Sequence, residues 1–361
     1  MDTESFVLPV LGVVEETADA CSVQLGVTPE VEAHFTYRPG QFLTLAVPSE
    51  ETGLAARCYS LSSSPVDGGP LTVTVKRTVD GYASNWICDN LKAGDSIRVL
   101  PPSGIFSPAD LDHDLLLFAG GSGVTPIISI ARTALARGKG KIVVFYANRD
   151  ESSVIFANEW ARLSAEHPDR LVVVHWLESV QGLPSQDQLK SFASHFASYD
   201  SFCCGPAPFM KSVSLALREL EFPRERRHQE KFVSLGGNPF GDVAELQKAE
   251  ATLADADDHE DDDAPALAGP VRLEVELDGS TYEYDDWSGR ETILEFLESK
   301  GLDAPFSCRE GNCSACACMV LEGEVKMAHN EVLDEMDLAD GIRLGCQSTP
   351  LTEKLRITYN G

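Results

Sequence analysis

Four cysteines dictate what the last third of this chain can become. Cys308, Cys313 and Cys316 are spaced C-x4-C-x2-C, and Cys346 stands alone after 29 intervening residues in "RLGCQS". That spacing is the ligand order of a plant-type [2Fe-2S] cluster. Zinc sites usually pair their ligands in two short knuckles, and here the fourth cysteine has no near partner; zinc stays open as the alternative. The spacers Arg309, Glu310, Gly311, Asn312, Ser314 and Ala315 are mostly small or polar, so the backbone can wrap an inorganic core and turn N–H groups towards its sulfurs. Cys318 lies on "CACMVLEG", a predicted strand, and reads as a small buried hydrophobe.

The remaining cysteines, Cys21, Cys58, Cys88, Cys203 and Cys204, show no disulfide-framework spacing, and the first residues, "MDTESFVLPVLGVVEE", lack the positive region of a secretion signal. A cytoplasmic protein with reduced thiols is expected. The longest uncharged run, Leu115 to Ala131, is too short to span a membrane, so no membrane insertion is expected. Net charge is −28, of which residues 236–361, with 29 acids and 9 bases, carry −20. A surface this negative repels phosphates, which argues against a nucleic-acid partner and leaves solubility, salt adaptation or steering of a basic partner as its uses.

Three textures and one interruption organise the chain. Residues 1–108 are strand-rich, with "YRPGQFLTLAV", "RCYSLSSSP", "LTVTVKR" and "DSIRVL" between turn residues, predicting an antiparallel β-barrel. Over 109–235, apolar strands such as "DLLLFAG", "KIVVFYANRD" and "RLVVVHWLES" alternate with helical stretches, predicting a doubly wound α/β domain with a parallel sheet. Residues 236–270, ending rich in Asp, Ala and Pro, read as an acidic, self-repelling linker. Over 271–361 a hairpin around Asp278-Gly279, a helix over "ETILEFLESKG", the cysteine loop and a closing strand "KLRITYN" predict a compact α+β cluster domain.

Several motifs point to ligands. On the strand "RCYS", Arg57 and Tyr59 share a face with Cys58 turned away, so a guanidinium and an aromatic ring can meet one ligand, as a flavin requires; a surface arginine and a core tyrosine explain the same residues without a ligand. In "KRTVDGYASNWICDNL", which opens with Lys76, Gly81 and Ser84 start a helix whose free N–H groups suit a phosphate, unless Ser84 is only the helix cap. "AGGSGVTPIISI" follows a strand and starts a helix, the setting of a dinucleotide loop, with Pro126 expected at the first helical position. "CCGPAPFM" repeats that strand-to-helix turn, and "HQEKF" offers Glu230 and Phe232 to the same junction, where core packing explains Phe232 equally well. "YANRD" ends a strand where an acid accepts from a ribose hydroxyl and a base welcomes a 2′-phosphate: Asp150 argues for NADH, Arg149 against it.

Taken in order, "RCYSLSSSP", "GGSGVTPIISI", "CGPAPFM" and "CREGNCSAC" resemble the ferredoxin-NADP reductase superfamily with a C-terminal plant-type ferredoxin domain, over the whole chain except the acidic linker. The resemblance implies a β-grasp-like fold for the cluster domain. It implies flavin contacts from Arg57, Tyr59, Ser60, Gly81 and Ser84, and nicotinamide-nucleotide contacts from Gly121, Gly123, Thr125, Cys204, Gly205 and Pro206. Lys76, Asp150, Glu230 and Phe232 complete the expected cofactor set, Cys308, Cys313, Cys316 and Cys346 the cluster ligands. Implied cofactors are FAD, with FMN possible in such reductases, a [2Fe-2S] cluster, and NADH as electron donor. No catalytic acid–base triad is expected. The implied partner is a terminal oxygenase, in the first place a Rieske-type enzyme acting on steroids. A di-iron or acyl-CoA oxygenase is the alternative partner, and a redox-sensing protein the alternative of another class.

Overall fold

The computed structural model describes residues 5–49, 53–79, 81–230, 240, 270–277, 279–302, 304–306, 309, 311, 314–333 and 335–359. Nearly all of the acidic linker, Phe232, Cys308 and Cys313 lie outside the described residues. Two compact units divide the chain: Phe6–Val47 with Arg57–Val233, and Met1–Ser5 and Pro48–Ala56 with Ser234–Asn360.

Six strands form the first sheet: β1 (Phe6–Thr17), β2 (Ala20–Leu25), β3 (Phe42–Ser49), β4 (Gly53–Ser60), β5 (Leu71–Lys76) and β6 (Ser96–Val99), in the order β4-β3-β6-β1-β2-β5. Just past β4, Leu61 bridges to Val73 of β5 in antiparallel register, which joins the two ends of that order into a barrel. Closure removes the exposed edges that an open sheet would offer for aggregation. Alternate residues of the strands, among them Leu8, Val10, Val23, Leu25, Leu43, Leu45, Val73 and Val75, fill its interior. Helix α1 (Tyr82–Asn90) packs Ala83 and Ile87 against that core.

The second sheet is parallel: β7 (Leu115–Gly120), β8 (Ile142–Asn148), β9 (Leu171–Leu177), β10 (Asp200–Cys204) and β11 (Arg227–Glu230), in the order β11-β10-β7-β8-β9. Strand β7 is buried along its whole length. The pleat sends Leu115, Leu117 and Ala119 to one face, with α2 (Val124–Arg137) and α3 (Ala157–Glu166), and Leu116 and Phe118 to the other, with α5 (Gln186–Ala193) and α6 (Ala207–Glu219). A short turn of helix, α4 (Glu178–Gln181), follows β9. The uncharged run Leu115–Ala131 is thus a central strand, a glycine turn and the start of a buried helix.

Helix α2 does more than cover the sheet. Its Ser129 hydroxyl donates to the Ser63 carbonyl at 2.6 Å, Thr133 and Ser64 share a hydrogen bond at 2.7 Å, and Arg132 donates to the Ser62 carbonyl at 3.2 Å. All three barrel residues sit in the "SLSSSP" segment that leaves β4. A polar row at i, i+3 and i+4 on an otherwise apolar helix therefore joins barrel to parallel sheet.

The second unit holds a mixed five-stranded sheet, β13-β12-β18-β14-β16, and a small ribbon, β15-β17. Its strands are β12 (Val271–Leu277), β13 (Ser280–Trp287), β14 (Ala317–Glu322), β15 (Val325–Met327), β16 (Ile342–Leu344), β17 (Ser348–Pro350) and β18 (Lys354–Thr358). Strands β12 and β13 form the expected hairpin, with Gly279 at φ +76°. Helix α7 (Ile293–Ser299) starts on the capping box of Thr292 and Glu295 and ends before Gly301 at φ +74°. It seats Phe296 against Trp287 at 5.3 Å between ring centroids. A short helix, α8 (Glu335–Ala339), precedes β16.

Candidate functional site

At the carboxyl end of the parallel sheet two turns meet in backbone contact. The first runs from Gly120 through a single 3-10 turn, Gly121–Gly123, into α2; the second runs from Cys204 through Gly205 and Pro206 into α6. A Cβ placed on Gly123 would lie 2.1 Å from the Cys204 carbonyl oxygen, and one on Gly205 would lie 3.0 Å from the backbone of Gly120. Only glycine permits this approach. Strand order reverses between β7 and β10, so these turns flank the switch point at which open α/β sheets bind their ligands.

Thr125 is buried and its hydroxyl donates to the Ser122 carbonyl at 3.1 Å, which stiffens the loop. Pro126 does not occupy the first helical position: α2 begins at Val124, and the proline is third, still within the turn whose N–H groups have no helical acceptor. Lys76, at the end of β5 in the barrel, brings its ammonium to 3.8 Å from where a Cβ of Gly121 would stand.

On the barrel side, β4 delivers Arg57, Tyr59 and Ser60. Burial raises the Tyr59 phenol above its usual pKa, and the neighbouring Arg57 charge opposes that rise. Tyr59 also packs on the barrel core, as the ligand-free explanation required. The Ser60 hydroxyl is fully buried and has no hydrogen-bond partner. A buried hydroxyl without a partner costs about 1–3 kcal/mol, which a ligand acceptor would recover. Gly81, not Ser84, is the cap residue of α1; Ser84 is in the first turn, and its oxygen accepts from the Thr78 N–H at 3.0 Å. The reading of Ser84 as a helix cap is therefore corrected. Its hydroxyl folds the loop inward against the helix start.

Strand β11 ends on Glu230, which pairs in register with Cys204. Burial holds this carboxyl at about 8 instead of the usual 4.5. Burial, and then the Glu230 charge, likewise push the Cys204 thiol well up. The unfolded chain ionises Glu230 first as pH rises from 4.5, so this residue's contribution to stability declines up to the folded value of about 8. Glu230→Gln keeps the neutral shape and is expected to remove that decline. Melting curves should show the variant more stable than the parent near pH 8 by at least about 1.4 kcal/mol, the value of one pKa unit, with the difference vanishing near pH 4.5. A parallel pair of stability profiles would show that Glu230 is not held neutral.

Asp150 turns out to be engaged locally. Its carboxylate accepts from the Ser153 N–H at 2.9 Å and the Ser152 hydroxyl at 2.7 Å, capping the 3-10 turn Glu151–Ser153. Arg149 donates to Asp19 at 3.1 Å, a residue in the β1–β2 turn that no motif singles out.

In the second unit, Cys316 and Cys346 are both buried and their sulfurs approach to 3.3 Å. Gln347 donates to the Cys346 sulfur at 3.7 Å and to the Arg309 carbonyl at 2.8 Å, tying the loop to one of the thiols. Arg309 and Gly311 take left-handed backbones, φ +58° and +74°. Two buried thiols aimed at one point, with an amide N–H on one sulfur, suit a metal–sulfur centre. Cys318 lies on β14 as expected, its thiol pushed up to about 12 by burial.

Comparison with known proteins places these features in order. Residues 14–107 match the family of oxidoreductase FAD-binding domains, 117–215 the oxidoreductase NAD-binding domains, and 275–351 the 2Fe-2S iron-sulfur cluster binding domains. The chain is 50% identical to the 3-ketosteroid-9-alpha-monooxygenase ferredoxin reductase component of Rhodococcus rhodochrous, over 99% of this chain and 97% of that protein. It is 51% identical to the protein of the same description from Mycolicibacterium smegmatis, covering 98% and 96%. Among solved structures, phthalate dioxygenase reductase shares the fold, with a TM-score of 0.57, 23% identity and 98% coverage of both chains. No helix among the described residues is long and apolar enough to cross a membrane.

Proposed function

The chain belongs to the family of 3-ketosteroid-9-alpha-monooxygenase ferredoxin reductase components, and from that premise we propose that it takes electrons from NADH and delivers them to a Rieske-type oxygenase that hydroxylates a steroid ring. The observation that carries this reading is the succession of FAD-binding, NAD-binding and cluster-binding domains on one chain whose likeness to those relatives runs from end to end. When bound, a flavin converts the two electrons of a hydride into single electrons, and a plant-type cluster carries these at a low potential, about −400 mV.

The residues supply binding and orientation. Within a division at 1–108, 109–235, 236–270 and 271–361, Arg57 gives a flavin phosphate its charge partner, Tyr59 a ring wall, and the Ser60 hydroxyl a donor for the ring edge. Gly81 opens α1 for a phosphate, and Ser84 holds that turn in shape. Gly121, Gly123 and Gly205 leave bare backbone along which a dinucleotide lies, with Lys76 beside its pyrophosphate. Thr125 and Pro206 fix the two turns, and Cys204 with Glu230 forms the floor between them, Glu230 holding its proton at neutral pH. Phe232, outside the described residues, is assigned to the same junction. Cys308, Cys313, Cys316 and Cys346 hold the iron, Gln347 supporting the last of them. The cytoplasm, where thiols stay reduced, is the compartment assigned to it.

The reading is tested by mixing the flavin- and cluster-loaded protein with NADH and a Rieske-type oxygenase component specific for 3-ketosteroids, and measuring hydroxylated steroid. Hydroxylation dependent on this chain is expected. Reduction of a di-iron oxygenase without any turnover by the steroid enzyme would reject the partner assignment.

A further inference from the structure

Asp19 connects two cations that both border the nucleotide turns. Its carboxylate lies 3.1 Å from the Arg149 guanidinium and 3.7 Å from the Lys76 ammonium, while its other oxygen accepts from the Thr17 hydroxyl at 2.8 Å. The Asp19 carbonyl also accepts from the Arg77 N–H at 2.7 Å, so the β1–β2 turn is fixed against the end of β5. Arg149 follows β8, at the strand end where a basic side chain receives the 2′-phosphate of NADPH and an acidic one the ribose hydroxyl of NADH. The neighbouring acid, Asp150, is engaged in capping its own turn. The balance at this strand end is therefore struck by an acid 130 residues away in sequence.

We infer that Asp19 is a specificity-determining positioning residue: by pairing with Arg149 it withdraws the guanidinium from a 2′-phosphate, and so favours the nucleotide that lacks one. This rests on the reading of the glycine turns as the nicotinamide-nucleotide site. An unengaged arginine at a strand end is a ready bidentate receptor for phosphate. Paired with Asp19, its charge is offset, and less of it is left for a 2′-phosphate. The pair is partly exposed, Arg149 being 65% accessible and Asp19 29%, so the hold is that of a surface ion pair, weak enough to compete with a ligand. A moderate shift in preference is the consequence.

The test uses the flavin-loaded, oxidised full-length protein and two ligands that carry no nicotinamide: ADP-ribose and 2′-phospho-ADP-ribose, titrated by calorimetry at low salt. Asp19→Asn keeps the oxygen that accepts from Thr17 and removes the charge. Its ratio of Kd with the 2′-phosphate to Kd without it is expected to fall about five- to tenfold relative to the parent. Arg149→Gln combined with Asp19→Asn should cancel that fall, leaving the ratio of Arg149→Gln alone. Lys76, which serves the pyrophosphate common to both ligands, moves both affinities together and leaves the ratio unmoved. An unchanged ratio in Asp19→Asn, with ADP-ribose still bound, overturns the inference while the nucleotide site stands. A fall that persists in the double variant overturns it as well. If the parent binds neither ligand, the nucleotide-site reading falls and this inference with it. Should Asp19→Asn fail to retain flavin, Arg149→Gln alone decides: paired as described, Arg149 contributes little to the 2′-phosphate, so a tenfold weakening confined to 2′-phospho-ADP-ribose would overturn the inference.

Discussion

Cys346→Ser is expected to separate two activities that the intact protein couples. Electron delivery to an acceptor that draws on the cluster, whether oxygenase or a one-electron protein acceptor, should fall at least about a hundredfold, because a ligand thiolate is lost from a centre that depends on its donors. NADH-dependent reduction of a small dye that draws on the flavin should persist within about twofold, since most of the barrel and the whole parallel sheet fall in a unit that does not include Cys346. Cys318→Ser is the control: this buried thiol sits on β14 and lies outside the assigned ligand set, so the visible absorbance of the cluster should survive at a modest cost in stability. Bleaching by Cys318→Ser with retention in Cys346→Ser would refute the ligand assignment.

Gly123→Ala should have the second-largest effect, and for a purely geometric reason. The backbone there is ordinary, φ −61°, so an alanine is not excluded by conformation. What excludes it is the Cys204 carbonyl, 2.1 Å from the new methyl, with the carbonyl carbon at 2.3 Å and Gly205 N at 2.5 Å. All three atoms are backbone, so relief requires the two turns to move apart. Overpacking of this kind costs about 1–3 kcal/mol, and the displacement falls at the crevice itself. The rate of flavin bleaching by NADH should drop at least about tenfold at unchanged flavin content. Gly69→Ala, with nothing within 4 Å of its added methyl, should match the parent. Equal bleaching rates in the Gly123 and Gly69 variants would show that the turns tolerate separation.

Much of the architecture was legible because it is written in short periods. Buried strands such as "LLLFAG" and short helices such as Ile293–Ser299 declare themselves within a few residues. The glycine turn and the Cys-Gly-Pro turn were legible separately, since each stands at a strand-to-helix step. Their contact was not, because it joins Gly123 to Cys204 across a sheet whose strand order no local pattern encodes. The helix starts were legible but not the roles within them: Ser84 closes the Thr78 loop and leaves the cap to Gly81, and Pro126 sits third because the 3-10 turn ahead of α2 runs on into it at Val124. "YANRD" displayed Asp150 and Arg149 as rivals, yet one is spent as a cap and the other is tied to Asp19, a residue with no motif around it. The serines of "SLSSSP" read only as part of a strand-rich segment, and their partners on α2 become visible only in three dimensions.

That polar row on α2 bears on how the molecule breathes. The Ser129–Ser63 and Thr133–Ser64 hydrogen bonds are buried, so lifting the helix from the barrel would strand their donors and acceptors out of reach of water. Partial opening that frees the parallel sheet alone is thereby suppressed relative to opening of both layers. In amide hydrogen exchange, the backbone N–H groups of α2 and those of β5 should then share one protection level and lose it together, as a single cooperative unit that spans what are, by ancestry of sequence pattern, two domains.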